Sequence, residues 1–115
     1  MFMPKDVASI LGVKPHFIIN LVEKKMIVPA INICGRGKTR QYSYDNIVQI
    51  YLFKQLSICG ISHHKISKII NCFTDDRGKT TLPTSYQMES VYFKLTIDMM
   101  SLIDNIHKMV SDYEG

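Results

Sequence analysis

Two stretches of the chain set a lysine and a hydroxyl beside a glycine, the trio that phosphate-binding loops use: Gly37-Lys38-Thr39 and Gly78-Lys79-Thr80. A loop that wraps a nucleotide phosphate needs a further glycine five positions ahead, so that successive backbone amides curl inward. Those positions hold Asn32 and Phe73, and neither triplet leads into a helix able to carry the phosphate. Nucleotide cradling is therefore set aside. The first triplet has another use, because it lies in CGRGKTRQYS, residues 34–43, among Arg36, Lys38, Arg40 and Tyr42. Cations and a phenolic donor on a thin hairpin suit the phosphate oxygens of a nucleic acid, contacts that position a protein without reading sequence.

Other chemistries find little footing. Cys34, Cys59 and Cys72 are odd in number and form no C-x-x-C pair, which argues against a disulfide framework or a zinc ribbon. They read as reduced, buried, inert thiols. Cys59 and His63 are four apart, but Gly60 and Ile61 interrupt the helix between them, so no metal site is expected, and His63 and His64 read as surface residues. Asp75 and Asp76 read as a solvated pair in a connector. With no Ser/His/Asp spacing, no paired carboxylates in the basic half and no glycine-rich cofactor fingerprint, neither an enzyme nor a cofactor is expected.

The elements that must position the cationic hairpin can be read around it. PKDVASILGVKPHFIINLVEKKMI, residues 4–27, gives two short helices separated by a turn at Gly12, with Pro15 suited to the first turn of the second. Ile18, Leu21 and Val22 form the buried stripe of that second helix, which runs from about Pro15 to Lys25. After the β-branched ribbon, Ser43 caps a helix over Tyr44 to Ile58 that is apolar on most sides and so belongs at the centre of the core. Gly60 stops it, and Ser62 caps a further helix through about Cys72 that buries Ile66, Ile69 and Ile70.

Residues 74–84 are polar and aperiodic and read as a connector. Beyond them Met88, Tyr92, Leu95, Met99, Leu102, Ile106, Met109 and Tyr113 are spaced alternately by four and three. That heptad pattern predicts a single long helix over 85–113 whose apolar seam needs a partner, most simply a second copy of the chain. The expected architecture is mainly α: a winged helix-turn-helix with a two-stranded wing over 1–73, a connector over 74–84 and a coiled-coil dimerisation helix over 85–113.

A chain of 115 residues with 46% hydrophobic and 21% charged content suits one small domain plus an accessory element. The net charge of +4 is unevenly shared: residues 1–73 hold ten Lys/Arg against three Asp/Glu, +7, and residues 74–115 hold four against seven, −3. Only the front half is suited to a polyanion. No membrane-spanning run or secretory leader is read, and a cytoplasmic location is expected.

These residues also carry a resemblance. Ala8–Val13 as A-x-x-x-G-V, Pro15, Ile27–Pro29 as IVP, Arg40–Ser43 as R-x-Y-S and Leu56–Ser62 as L-x-x-x-G-I-S follow in the order and spacing of MerR-type winged-helix regulators. The likeness covers roughly residues 4–72, and the heptad helix takes the place of that family's antiparallel dimerisation helix. It implies a homodimer that sets two winged helices on an inverted-repeat operator in double-stranded DNA. In many members the promoter is distorted so that RNA polymerase can use it. Members with a large effector domain continue much further, so no small-molecule effector is expected.

Departures shape the expected interface. Ile19 and Asn20 stand where the family usually has an arginine followed by an aromatic, and Lys25 stands where it commonly has glycine. Lys14, His16, Phe17, Asn20 and Lys24 are the candidates left on the second helix. Asn20 is either a reader of adenine in the major groove or a solvated helix position, and Phe17 either touches a thymine methyl or belongs to the core. Arg40 and Tyr42 are the firmest transfers, with Arg40 also a brace for the wing. Two other roles compete: an excisionase-like architectural factor, which shares the P-K-x-V-A opening of Pro4–Ala8, and a protein-interaction module that docks through the heptad helix.

Overall fold

A computed structural model describes residues 1–32, 39–89, 92 and 94–114. Among these the chain is mainly helical, with one two-stranded antiparallel sheet and a C-terminal helix. It divides into two compact units, Met1–Thr80 and Thr81–Gly115.

The first unit holds four helices: α1 (Pro4–Leu11), α2 (Pro15–Glu23), α3 (Tyr44–Ile58) and α4 (His63–Cys72). Proline occupies the first turn of both α1 and α2, where its missing N–H costs nothing. Gly12 ends α1 in the left-handed region, at φ 63°, and the Lys54 ammonium donates to the Leu11 carbonyl at 2.7 Å. A cation there satisfies an orphan carbonyl and the negative end of the helix dipole together. Ser43 and Asn46 close a reciprocal cap on α3, the Ser43 hydroxyl accepting from the Asn46 N–H at 3.2 Å and the Asn46 side chain accepting from the Ser43 N–H at 3.0 Å. Ile47, Ile50, Leu52 and Phe53 are fully buried on different sides of α3, as are Val7, Leu11, Ile18, Leu21 and Ile66 on the helices around it.

Lys25 follows α2 at φ 60°, the one non-glycine among the described residues with positive φ. A side chain in this region crowds the following carbonyl, which costs roughly 1–2 kcal/mol, partly offset because glycine itself loses about 0.5–1 kcal/mol more backbone freedom on folding. Lys25→Gly should therefore stabilise the protein by about 0.5–1 kcal/mol, read as a higher urea midpoint with an unchanged slope.

Residues 74–80 are part of the first unit. Thr74 and Thr80 pair as an isolated bridge, and the Asp75 carboxylate accepts the Arg77 and Lys79 N–H groups at 2.9 Å each. Thr74 donates its only hydroxyl proton to the Ile70 carbonyl at 2.7 Å. Its contact with the Thr80 hydroxyl at 2.9 Å therefore has Thr80 as donor, and Thr80 accepts from the buried Gln49 amide at 2.8 Å. The second Gly-Lys-Thr triplet thus has its hydroxyl engaged inside the fold. Thr80 also donates its backbone N–H to Asp45 at 3.1 Å.

The second unit corrects the long-helix expectation. Residues 85–98 form a β-hairpin, β1 (Ser85–Glu89) paired with β2 (Lys94–Asp98), and only Met99–Glu114 is helical, as α5. Met88 and Leu95, placed on a helical seam by their spacing, are register partners across the sheet, as are Tyr86 and Ile97. Strict polar and apolar alternation through both segments puts these four on one face and Gln87, Thr96, Glu89 and Lys94 on the other. Glu89 and Lys94 face each other at 3.6 Å. The four-three spacing matched a helix by chance because a period of 2 also revisits some of those positions. Tyr92 lies between the strands, 94% exposed. Asp98 then caps α5, accepting from the Ser101 N–H at 3.1 Å and hydroxyl at 2.8 Å, bonds that hold its carboxyl below the ordinary range.

Five of the eight seam residues, Met99, Leu102, Ile106, Met109 and Tyr113, remain on α5. Met99 and Ile106 are already fully buried within the chain, so they are not free to face a second copy. Leu102 and Met109 are half-buried and Tyr113 is exposed.

Candidate nucleic-acid interface

α2 turns Ile18, Leu21 and Val22 inward, and helical periodicity then fixes what faces out. His16, Ile19 and Glu23 are exposed and Asn20 is half-buried, a run at i, i+3, i+4, i+7. Lys14 at the N-cap and Lys24 at the C-cap are exposed at the two ends. The structure thus brings four of the five sequence candidates on this helix to one side, with Glu23 the single acidic group beside them.

Phe17, the fifth, is half-buried, on the flank of α2 between its outward face and the core. Its ring meets His63 edge-on, centroids 6.3 Å apart at 87°, and His63 meets Phe53 at 5.4 Å and 83°. This aromatic stack joins α2, α3 and the start of α4. It corrects the expectation of His63 as a surface residue, whereas His64 is exposed.

At the ribbon, the arms pair at Ile31 and Gln41, while Phe2 pairs with Tyr42. The Arg40 Nε donates to the Asn32 side-chain carbonyl at 3.0 Å, so this arginine bridges the two arms with one of its five N–H donors. Tyr42 corrects a sequence expectation: it is 1% exposed, a core residue whose phenol is not presented to a ligand. Burial raises its pKa, opposed by the charge of Arg40. Cys34, Arg36 and Lys38 lie outside the described residues.

The base of the ribbon is tied to α3 by Asn46, which is 4% exposed. Its carbonyl oxygen accepts from the Ala30 and Ser43 N–H groups at 3.0 Å each, and its nitrogen donates to the Val28 carbonyl at 3.0 Å and the Gln49 side-chain oxygen at 3.4 Å.

An open cleft of about 540 Å³ borders the outward face of α2. Lys14, His16, Phe17 and Asn20 form one side, Val13 the turn, and Lys54, Ser57 and Ile58 from the end of α3 the other. The sequence pointed to none of these three: with α3 apolar nearly all round, no single face of it could be assigned to a site.

The expected burial of the cysteines is also corrected, since Cys59 and Cys72 are both exposed, while both are free thiols as expected; Cys34 lies outside the described residues. Among the described residues no group of three or more His, Cys, Asp or Glu could hold a metal ion, and no helix is long and apolar enough to cross a membrane. Compared with known proteins, the chain matches no family model and no curated protein sequence.

Proposed function

We propose that the chain is a double-stranded DNA-binding regulator, its first unit a winged helix-turn-helix that sets α2 in the major groove and the 31–42 ribbon along the adjacent backbone. The observation that carries this reading is the outward face of α2, with Lys14, His16, Asn20 and Lys24 on one side of a unit that holds nearly all of the positive charge. Redrawn at the structural boundary, residues 1–80 contain twelve Lys/Arg and five Asp/Glu, +7, and residues 81–115 two and five, −3. With one unit cationic and the other acidic, the first is the one suited to a polyanion. In this reading Lys14, Lys24, Arg36, Lys38 and Arg40 hold phosphates, and Asn20 is the base reader. Tyr42 has no direct part in it.

Fluorescence anisotropy with a labelled duplex tests the proposal, and no measurable binding at low salt to a random pool would end it. Glu23 supplies a gain-of-function arm. Removing its repulsion of phosphate through Glu23→Gln should raise affinity about threefold to tenfold at low salt, an advantage that shrinks as salt rises.

The regulator acts as a homodimer on an inverted repeat, with Tyr113, 46% exposed, and the half-buried Leu102 and Met109 on α5 offering apolar surface to the second copy. Sedimentation equilibrium should give twice the chain mass at micromolar concentration. A monomer that still binds DNA would replace the inverted repeat by a single site. A promoter-distorting action with RNA polymerase as partner is the regulatory form of this reading. DNA bending without any effect on transcription would instead favour the architectural role.

A further inference from the structure

The cleft beside α2 has a more apolar lining than contacts to a DNA backbone require. Val13, Phe17 and Ile58 give it hydrocarbon walls, and Ile58 is 72% exposed at the end of α3, a large apolar side chain left facing water next to a concave surface. A volume of about 540 Å³ lies within the range of roughly 300–1,000 Å³ typical of small-molecule pockets.

Its charged groups are of one sign, with His16 and Asn20 as further polar groups on the α2 side. Lys14 stands at the rim, and Lys54 on the opposite side uses one ammonium proton on the Leu11 carbonyl, leaving two donors of its three. Ser57, also in the wall, has a buried hydroxyl with no hydrogen-bond partner. A helical serine ordinarily returns its proton to the carbonyl four residues back, and a buried hydroxyl left unpaired is costly. Two ammonium groups and a spare hydroxyl donor around an apolar cleft call for an acceptor that is negatively charged, attached to a hydrophobic body. Among the described residues no acidic side chain lines the cleft.

We propose that this cleft binds an amphipathic organic carboxylate, its hydrocarbon or aromatic body against Val13, Phe17 and Ile58 and its carboxylate accepting from Lys54, Ser57 and Lys14. Because Lys14, His16 and Asn20 belong both to the cleft and to the DNA-facing side of α2, ligand and duplex exclude each other, and the site makes DNA binding responsive to such an acid. This last consequence rests on the DNA-binding reading, whereas the site itself does not.

The test is a titration of the full, ¹⁵N-labelled chain with decanoate, and in parallel with decanol, which keeps the hydrocarbon and removes the charge. Decanoate should give saturable amide shifts concentrated at Val13, Lys14, Phe17, Asn20, Ser57 and Ile58, with decanol at least about tenfold weaker, the scale of a charge-assisted hydrogen bond. Ile58→Ser should abolish the decanoate shifts while duplex binding persists, and Ser57→Ala should weaken them severalfold. Decanoate should also displace a labelled duplex from the unaltered chain and fail to do so from Ile58→Ser. Shifts that are scattered or do not saturate, or equal affinity for decanol, would overturn the carboxylate site. Saturable shifts at the cleft in a chain that binds no duplex would uphold the site and overturn the DNA reading. Undiminished duplex binding at saturating decanoate would overturn the competition.

Discussion

Raising the salt concentration from about 50 to about 200 mM should weaken duplex binding about 500-fold per chain, because five neutralised phosphates give a logarithmic slope of about −4.5. The five cations proposed to hold phosphates are Lys14 and Lys24 at the ends of α2 and Arg36, Lys38 and Arg40 farther along the sequence. Each phosphate neutralised returns a condensed counterion to solution, and dilute salt makes that return favourable. Steepness therefore counts contacts. Replacing Lys24 by Gln should lower the slope by about one and leave the preferred sequence unchanged, whereas a flat response from the unaltered chain would be incompatible with phosphate contacts. Lys24 is exposed, so its replacement should leave the unfolding temperature unchanged.

The second large effect is on stability. Asn46→Ala should destabilise the first unit by about 2–3 kcal/mol, since it strands the Ala30 and Ser43 N–H groups and the Val28 carbonyl at once, each a part-buried group costing about 1 kcal/mol. Against a total stability of roughly 5–15 kcal/mol, that is a loss of about 8–24 °C in melting temperature for a domain of this size. Asn46 makes every hydrogen bond its amide can make, two in and two out, so no isostere replaces it. Asn46→Asp keeps the acceptor for both N–H groups but turns a carboxylate toward the Val28 carbonyl and Gln49, and should cost less, about 1–2 kcal/mol. Equal losses in the two variants, measured by urea unfolding, would show that the amide donor rather than the acceptor dominates. DNA affinity should fall with Asn46→Ala even under conditions where the helices persist, because the same side chain fixes the root of the ribbon.

Local signals with a steric or hydrogen-bonding cause were legible in the sequence. Gly12, Pro15, Ser43, Gly60 and Ser62 bound the first four helices because each solves a problem that arises at a helix end, whatever surrounds it. The inward stripes of α2 and α4 were legible for the same reason. Periodicity failed at 85–98, where Met88, Leu95 and Met99 satisfy a helical template while Tyr86, Met88, Leu95 and Ile97 alternate with polar residues as strands do. Density of β-branched and aromatic residues was the deciding signal there. Tyr42 looked like a phosphate contact because a phenol is amphipathic and its type does not reveal which end faces solvent. Lys54, Ser57 and Ile58 were invisible as cleft residues because what unites them with α2 is tertiary packing between segments some 40 positions apart. The stretch after α4 reads as a linker because it is polar, turn-rich and aperiodic, and none of those signals carries a trace of a hydroxyl meeting an amide 31 residues earlier in the chain.

That contact decides where the chain can be cut. A truncation ending at Cys72, at the compositional break, would discard the Thr80 hydroxyl and leave the Gln49 carboxamide in the interior without its acceptor. Limited proteolysis should accordingly spare the 74–80 turn, and the shortest N-terminal fragment that keeps its cooperative melting should end just after Thr80.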